Sequence, residues 1–194
     1  MIKEKHAVIN HTEINDKLFE MAKYFNFTDC EWLIERADPK QGDEDGNTFL
    51  HKAAFTTDHY IRRKYHVLKW YKSLVEHGYD INQKNEKGEV PLHLAVSSGR
   101  QKMCEFFIKQ GTNINQKNNK GETPLHYAVS SNEQKIGKYL IEQGADINQT
   151  TNKGESALYL ATSRNQQEIC KYLIEKGANI NQKNKQGKSP LHLA

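Results

Sequence analysis

The 194-residue sequence has few apolar residues and no long apolar segment. Hydrophobic residues make up 36% of the chain, and its mean hydropathy is −0.87. No stretch approaches the roughly 18 consecutive apolar residues that indicate a membrane-spanning helix, and the N-terminal sequence MIKEKHAVINHTE lacks the apolar core of a signal peptide. So polar a composition disfavours a globule around one central core. It favours a thin, elongated stack in which every layer lies close to solvent.

The sequence also lacks the motifs of known catalytic and metal-binding sites. It contains three cysteines and no C-x-x-C pair. It has no G-x-S-x-G, no H-E-x-x-H and no phosphate-binding loop. The net charge is only +4, with a pI near 8.8, which is too mild to require a nucleic-acid partner. We therefore expect no catalytic residue, no cofactor, no metal ion and no membrane partner within these residues.

What the sequence does contain is an internal repeat with a period of 33 residues. When the copies are aligned, several equivalent positions, called columns below, carry the same residue in all four copies. Such agreement is the signature of a repeat architecture. The columns are two series of glycines and one series of isoleucines, each isoleucine being followed by asparagine: Gly88, Gly121, Gly154 and Gly187; Gly78, Gly111, Gly144 and Gly177; Ile81, Ile114, Ile147 and Ile180.

The copy at residues 85–117 shows what each unit can form. Gly88 stands where a tight turn requires positive φ, and Pro91 stands at the first position of a helix, where its missing N–H has no cost. A second helix is predicted at about 101–110, ending at Gly111. Two such short helices cannot bury their apolar side alone, so the sequence predicts that successive copies stack.

These motifs resemble the ankyrin repeat. Residues 121–128 read GETPLHYA and residues 144–148 read GADIN, and the resemblance extends over about 43–194 and, more weakly, over 14–38. It implies an all-α repeat solenoid of stacked helix pairs with β-turn arms. The implied organisation is an N-terminal capping segment with a degenerate repeat (1–42), a first repeat with a nine-residue insertion (43–84), repeats two to four (85–117, 118–150, 151–183) and a truncated fifth repeat (184–194). Because the fifth repeat stops within its first helix, we expect the natural chain to continue past Ala194.

Two further columns receive structural roles from this alignment. The resemblance implies that one histidine per repeat ties the turn arm of one copy to the next through backbone hydrogen bonds. The cysteines share a position in the second helix that we expect to be small and buried, and three reduced thiols fit a reducing compartment. The histidines are His51, His93, His126 and His192, and the cysteines are Cys30, Cys104 and Cys170.

The candidate binding residues lie on two surfaces. Ankyrin-like arrays usually bind partners along the concave side, which the turn tips and first helices form. These positions are small and polar, and they lack the aromatic anchors of binding hot spots, so a merely solvated face is an equal alternative. By column they are Glu89, Ser97, Ser98, Glu122, Ser130, Ser131, Glu155, Ser163 and Arg164.

The second surface is the insertion at 55–72, which combines basic and aromatic residues. Such a combination can anchor a protein or a nucleic-acid strand, of which the protein is the favoured partner because the patch is short. The alternative is internal pairing with acidic residues of the preceding segment, between 29 and 45. The candidate residues are Tyr60, Arg62, Arg63, Tyr65, His66, Lys69 and Trp70.

Two hypotheses about function follow. The first is a non-catalytic, monomeric and cytoplasmic scaffold that binds another protein. The second is a substrate-targeting arm of an enzyme whose catalytic domain lies beyond residue 194. The Lys-, Asn- and Ile-rich composition also resembles ankyrin proteins that intracellular bacteria deliver into host cells, which implies a secreted effector.

Overall fold

The computed structural model describes residues 14, 17, 34–54 and 71–193. Within these residues the chain is helical and contains no β-strand, apart from one isolated antiparallel bridge between Thr150 and Ser156. This confirms the expected all-α solenoid of stacked helix pairs. The helices are α1 (Phe49–Ala53), α2 (Pro91–Ser97), α3 (Gln101–Lys109), α4 (Pro124–Ser130), α5 (Gln134–Glu142), α6 (Ala157–Ser163) and α7 (Gln167–Glu175), and they are accompanied by helical residues 71–76 and a 3₁₀ turn at Pro190–His192.

Each first helix begins at a residue with extended backbone that is followed, in three copies, by proline. Thr123 precedes α4 with φ −95° and ψ 168°, and Pro124 occupies the first helical position. At the start of α6, the Ser156 hydroxyl accepts the backbone N–H of Tyr159 at 3.2 Å. Val90 precedes α2 without a side-chain cap, as its lack of a hydroxyl predicts. The helix starts are therefore encoded locally, by capping residues and fixed proline geometry.

The two helices of a copy are joined by a residue in the left-handed conformation. Gly99 has φ +68° between α2 and α3. Asparagine replaces glycine at this column in the next two copies, where Asn132 has φ 58° and Asn165 has φ 53°. Asparagine is among the few residues with a side chain that tolerate this region. The tight reversal between helices therefore survives the loss of glycine.

The core runs along the stack rather than gathering at one centre. Each first helix packs against the second helix of its own copy and against the first helix of the next copy. One small residue per first helix lets neighbouring helices approach closely, and one large apolar residue fills the space between layers. The fully or almost fully buried residues at these columns are Ala95, Ala128 and Ala161, and Leu92, Leu125 and Leu158.

Gly137 offers a stabilising substitution in the middle of α5, where the flanking copies carry Cys104 and Cys170. A Cβ built on Gly137 meets Ile169 Cδ1 at 3.5 Å and Ala128 Cβ at 3.6 Å, which are ordinary contacts. Gly137→Ala should therefore raise the free energy of unfolding by about 1 kcal/mol, measured by urea titration.

The matched control for this variant is Gly144→Ala, in the same copy. Gly144 has φ +92°, so alanine should be destabilising there although no heavy atom lies within 4 Å of the new Cβ. A loss of stability in Gly137→Ala would mean that the layers at this position have no room for a methyl group.

Candidate binding surface

The turn arms are closed by one side chain at the start of each arm. Asn118 Oδ1 accepts the backbone N–H groups of Lys120 and Glu122, both at 2.9 Å. Gly121 provides the positive φ of +74° that this loop needs. The same position in the other arms is occupied by Asp43, Asn85, Thr151 and Asn184, and a side-chain oxygen of each accepts two backbone N–H groups of its own arm. This column is not among the positions predicted from the sequence.

Successive arms are joined tip to tip by backbone hydrogen bonds. The N–H of Asn119 donates to the Lys87 carbonyl at 3.0 Å, and the N–H of Asn152 donates to the Lys120 carbonyl at 2.8 Å. The next junction repeats the bond at 2.9 Å, from Lys185 to the carbonyl of the preceding arm. The arms therefore form one continuous row in which each tip is held by its neighbour.

A buried histidine at the third position of the first helix connects this row to the helices. The Nδ1 atom of His126 accepts the Thr123 N–H at 3.1 Å, and its Nε2 atom lies 3.1 Å from the carbonyl oxygen of Glu155 in the next arm. Because Nδ1 accepts, Nε2 carries the proton and donates, which is the neutral form of the ring. His51 and His93 make the equivalent pairs of bonds.

Burial lowers the pKa of His51, His93 and His126 below the ordinary value of 6.5, and the bonds to carbonyl oxygens offset this only in part. A proton on Nδ1 would also face the N–H that this atom accepts. These three rings therefore resist protonation as long as the arms stay in place.

This resistance makes the stability of the array depend on pH. A histidine with a lowered folded pKa stabilises the fold fully above the unfolded pKa, near 6.5, and this contribution is lost as the pH falls. We expect the free energy of unfolding to decrease from pH ~7.5 to pH ~5.5, measured by urea titration at each pH. His93→Gln, with one buried imidazole fewer, should show a shallower decrease. A stability that is constant over this range would contradict the neutral state of the rings.

A polar network crosses from one copy to the next beside His93. The Tyr127 hydroxyl donates to the Glu89 carboxylate, whose other oxygen accepts the Asn85 side-chain amide at 2.9 Å. The amide of Asn118 donates to the Tyr127 oxygen at 3.0 Å. Burial alone would raise the pKa of the Glu89 carboxyl, but the bonds from Tyr127 and Asn85, together with attraction from His93 and Lys87, hold that pKa below its ordinary value.

The predicted concave-face residues differ in accessibility. Glu89 is only 8% exposed, and its carboxylate is engaged within the array. The Ser97 hydroxyl donates to the Leu94 carbonyl at 3.1 Å, and the Ser163 hydroxyl makes the same bond in the fourth copy. The half-buried members are Ser97, Ser98, Glu122 and Glu155, and the exposed members are Ser130, Ser131, Ser163 and Arg164.

Other predicted site residues lie outside the described part of the chain. These are Cys30 and the whole insertion set: Tyr60, Arg62, Arg63, Tyr65, His66, Lys69 and Trp70. Of the remaining cysteines, Cys104 is fully buried. Cys170 is only half-buried, unlike the buried site expected for it, because it borders an apolar groove of about 650 Å³ that also contacts Ile174 and Leu191.

His192 stands in the histidine column of the last arm but is exposed. Its Nδ1 atom accepts the Ser189 N–H at 3.2 Å. No described residue accepts a hydrogen bond from its Nε2 atom, which distinguishes it from the three buried histidines.

Two kinds of feature are not found in the part of the chain that the structure describes. No three His, Cys, Asp or Glu side chains are grouped as ligands of a metal ion. Nor does any helix over 34–54 and 71–193 have the length and apolarity to span a membrane.

The fold and its surface define a class of protein: a solenoid of helix pairs whose arms and first helices share one polar face. The family model described as "Ankyrin repeats (3 copies)" matches residues 18–118, 61–151 and 138–194. The chain therefore belongs to the ankyrin-repeat family, whose repeats generally serve as protein–protein interaction modules.

Solved structures support the same fold. The ankyrin-repeat domain of Bcl-3, described as a unique member of the IkappaB protein family, superposes with a TM-score of 0.78 at 24% identity. The alignment covers 91% of this chain and 76% of that domain. At this identity the likeness concerns the fold. No curated protein sequence matches the chain significantly.

Proposed function

We propose that this protein is a non-catalytic scaffold that binds another protein through its arm face, the surface formed by the turn tips and the ends of the first helices. In the described residues this face carries Ser97, Ser98, Glu122, Ser130, Ser131, Glu155, Ser163 and Arg164. The observation that carries the proposal is the row of backbone bonds between arm tips, from Lys87 to Lys185. A surface fixed in this way loses little conformational entropy on binding, which favours affinity.

The accessibility of the ends of the first helices, and one arginine there, support this assignment. Ser130 and Ser131 are both exposed at the end of α4, and Arg164 is exposed at the end of α6. Serine leaves room for a partner to approach the helix ends, and arginine is one of the residues that are enriched at binding hot spots. We therefore place the centre of the contact at the third and fourth copies.

The insertion at 55–72 is the second element of the proposal, and its support is the sequence alone. Its basic and aromatic side chains are typical of residues that anchor a partner.

Cytoplasmic residence and delivery into a host cell are further parts of the proposal. Their support is the reduced thiols and the resemblance described above.

The test is capture of binding proteins from a cell lysate with the full chain and two variants of equal charge change. The first variant, Ser130→Glu/Ser131→Glu/Arg164→Glu, adds charge to the arm face. The control, Lys109→Glu/Lys171→Glu, adds the same charge to exposed positions of the second helices α3 and α7. We expect at least one protein to be retained by the unmodified chain and by the control, and lost from the arm-face variant.

A third variant, Arg62→Ala/Lys69→Ala/Trp70→Ala, tests the insertion separately. We expect it to weaken capture of the same protein. The proposal is wrong if the arm-face variant retains every captured protein at the level of the unmodified chain.

A further inference from the structure

A row of lysines stands at the tips of three turn arms, one residue before the turn glycine, where the first arm has Asp45 and the last has Gln186. Lys87, Lys120 and Lys153 occupy this column in three successive copies, and all three are exposed. The last arm adds Lys183 and Lys185, which are also exposed. The arm tips therefore carry a row of exposed lysines, although the segments 82–89 and 148–155 each contain as many acids as lysines.

Within the described residues the charge of this row is balanced only in part, by the attraction between Lys87 and the Glu89 carboxylate, which helps to lower the pKa of that carboxyl. The ion pairs of the described residues include no lysine of the arms. Of the acids beside the row, Glu89 is buried and bound by Tyr127 and Asn85, while Glu122 accepts the Asn118 amide at 2.9 Å. Glu155 is half-buried, which leaves Glu86 as the exposed acid of these arms.

The spacing of the row is set by the stack. Backbone bonds of 3.0 Å from Asn119 to Lys87, and of 2.8 Å from Asn152 to Lys120, hold neighbouring tips in register. Stacked helical layers lie about 10 Å apart. A peptide in the polyproline II conformation rises about 3.1 Å per residue with three residues per turn, so every third side chain lies on the same side and advances about one layer.

We infer that the arm face binds an acidic peptide segment in the polyproline II conformation, in which a carboxylate recurs at every third residue, so that successive carboxylates meet Lys87, Lys120 and Lys153. This inference rests on the proposed function and adds the chemical class of the partner. Lysines held at a fixed spacing discriminate between acidic segments by the spacing of their charges, as well as by their number.

The composition of the arms favours a peptide over a nucleic-acid strand. The arm segments 82–89, 115–122, 148–155 and 181–188 contain no aromatic residue and no arginine. Proteins that bind single-stranded nucleic acid combine basic grooves with aromatic side chains on which bases stack. Lysine acts as a point charge, which suits an isolated carboxylate as well as a phosphate.

The test uses two fluorescent peptides of identical composition and the full chain. EGSEGSEGSEGS has a carboxylate at every third residue, and EEEEGSGSGSGS has the same residues with the acids together. Fluorescence anisotropy at about 50 mM salt should show that the spaced peptide binds at least several-fold more tightly, and raising the salt to about 500 mM should abolish the difference. Equal affinity of the two peptides, or no binding of either, overturns the inference.

Two variants with the same loss of charge locate the contact. Lys87→Gln/Lys120→Gln/Lys153→Gln should weaken binding of the spaced peptide about tenfold, since three exposed ion pairs are removed. The control, Lys109→Gln/Lys135→Gln/Lys171→Gln, changes exposed second-helix lysines and should leave the affinity unchanged. Equal weakening by both variants would show attraction by net charge alone and would overturn the inference.

An oligouridine strand is the competing ligand. If it binds more tightly than the spaced peptide and loses affinity in the arm-lysine variant, the row is a nucleic-acid site and the inference is wrong.

The proposed function is tested separately from this inference. A protein captured through the arm face, together with failure of both peptides, would leave the scaffold proposal standing and overturn only the acidic-peptide inference.

Discussion

Replacing His126 by alanine should lower the free energy of unfolding by about 3 kcal/mol, measured by urea titration. His126 is 1% exposed, and the change removes the acceptor of the Thr123 N–H and the donor to the Glu155 carbonyl. Both backbone groups would then be left without their partner in a buried place, beside a cavity the size of an imidazole. The loss falls on the link between the third and fourth copies.

His192→Ala is the matched control in the same column. His192 is exposed and accepts the Ser189 N–H, but it makes no bond to a following arm within the described residues. We expect its loss to cost less than about 1 kcal/mol, as is usual for a surface position. If the two variants were destabilised equally, the link between copies would contribute nothing beyond the local cap.

Gly121→Ala should be destabilising by roughly 2 to 4 kcal/mol in the same measurement, because two costs coincide. Gly121 has φ +74°, where an alanine side chain is strained. A Cβ at this position would lie 2.7 Å from the backbone nitrogen of Asn152, whose N–H donates to the Lys120 carbonyl of the preceding tip. Backbone atoms cannot rotate away as a flexible side chain can, so we expect the bond between arms to open.

Gly187→Ala separates the two costs. Gly187 occupies the same column with φ +78°, but in the described structure no heavy atom lies within 4 Å of its added Cβ. Only the conformational cost of about 1 kcal/mol should remain. A Gly121→Ala variant as stable as Gly187→Ala would mean that the arms are not packed tip against tip.

Much of the fold could be predicted from the sequence, because its determinants are local and recur. Pro124 and Gly121 mark the start of a helix and the turn before it, and the period of 33 residues shows that the same unit follows. The second helix predicted at about 101–110 is observed at Gln101–Lys109. Once the unit is known, stacking follows from the apolar side that no single copy can bury.

The cross-copy polar network could not be predicted in the same way. Glu89 occupies a turn position that suggested an exposed acid, yet it is buried by contact with Tyr127, 38 residues away. The available signal was the column of Tyr127, which holds Leu94 and Leu160 in the neighbouring copies. A single polar replacement in an apolar column indicates a buried partner, but only the folded structure identifies that partner as Glu89.

A second pattern was visible in the sequence, but its structural role could not be predicted. The asparagines after the first three repeated isoleucines each accept a backbone N–H from the next copy, as Asn115 Oδ1 does from Asp146 at 2.8 Å and Asn148 Oδ1 from Asn179 at 2.8 Å. From the sequence, a repeated polar residue at the surface is expected to contact only solvent, because its partner lies 31 residues ahead. Together with the histidines and the arm tips, these side chains hold each copy to the next at three places.

The same bonds bear on recognition. They use the Glu89 carboxylate and the backbone groups of the arms internally, and they leave Lys87, Lys120 and Lys153 directed to solvent at a fixed spacing. The groups that are accessible to a partner are therefore those that form no bonds within the array. This is why the arm lysines, rather than the arm glutamates, define the chemistry that we expect of the ligand.

The central claim is that successive arms are tied tip to tip, and amide hydrogen exchange followed by NMR tests it most directly. The N–H groups of Asn119 and Asn152 belong to exposed residues in turns, where untied amides exchange at the rate of an unfolded chain. Because they donate to the carbonyls of Lys87 and Lys120, we expect both to be protected by at least about a hundredfold. Exchange of both amides at unfolded-chain rates, while the amides of helices α4 and α5 stay protected, would contradict it.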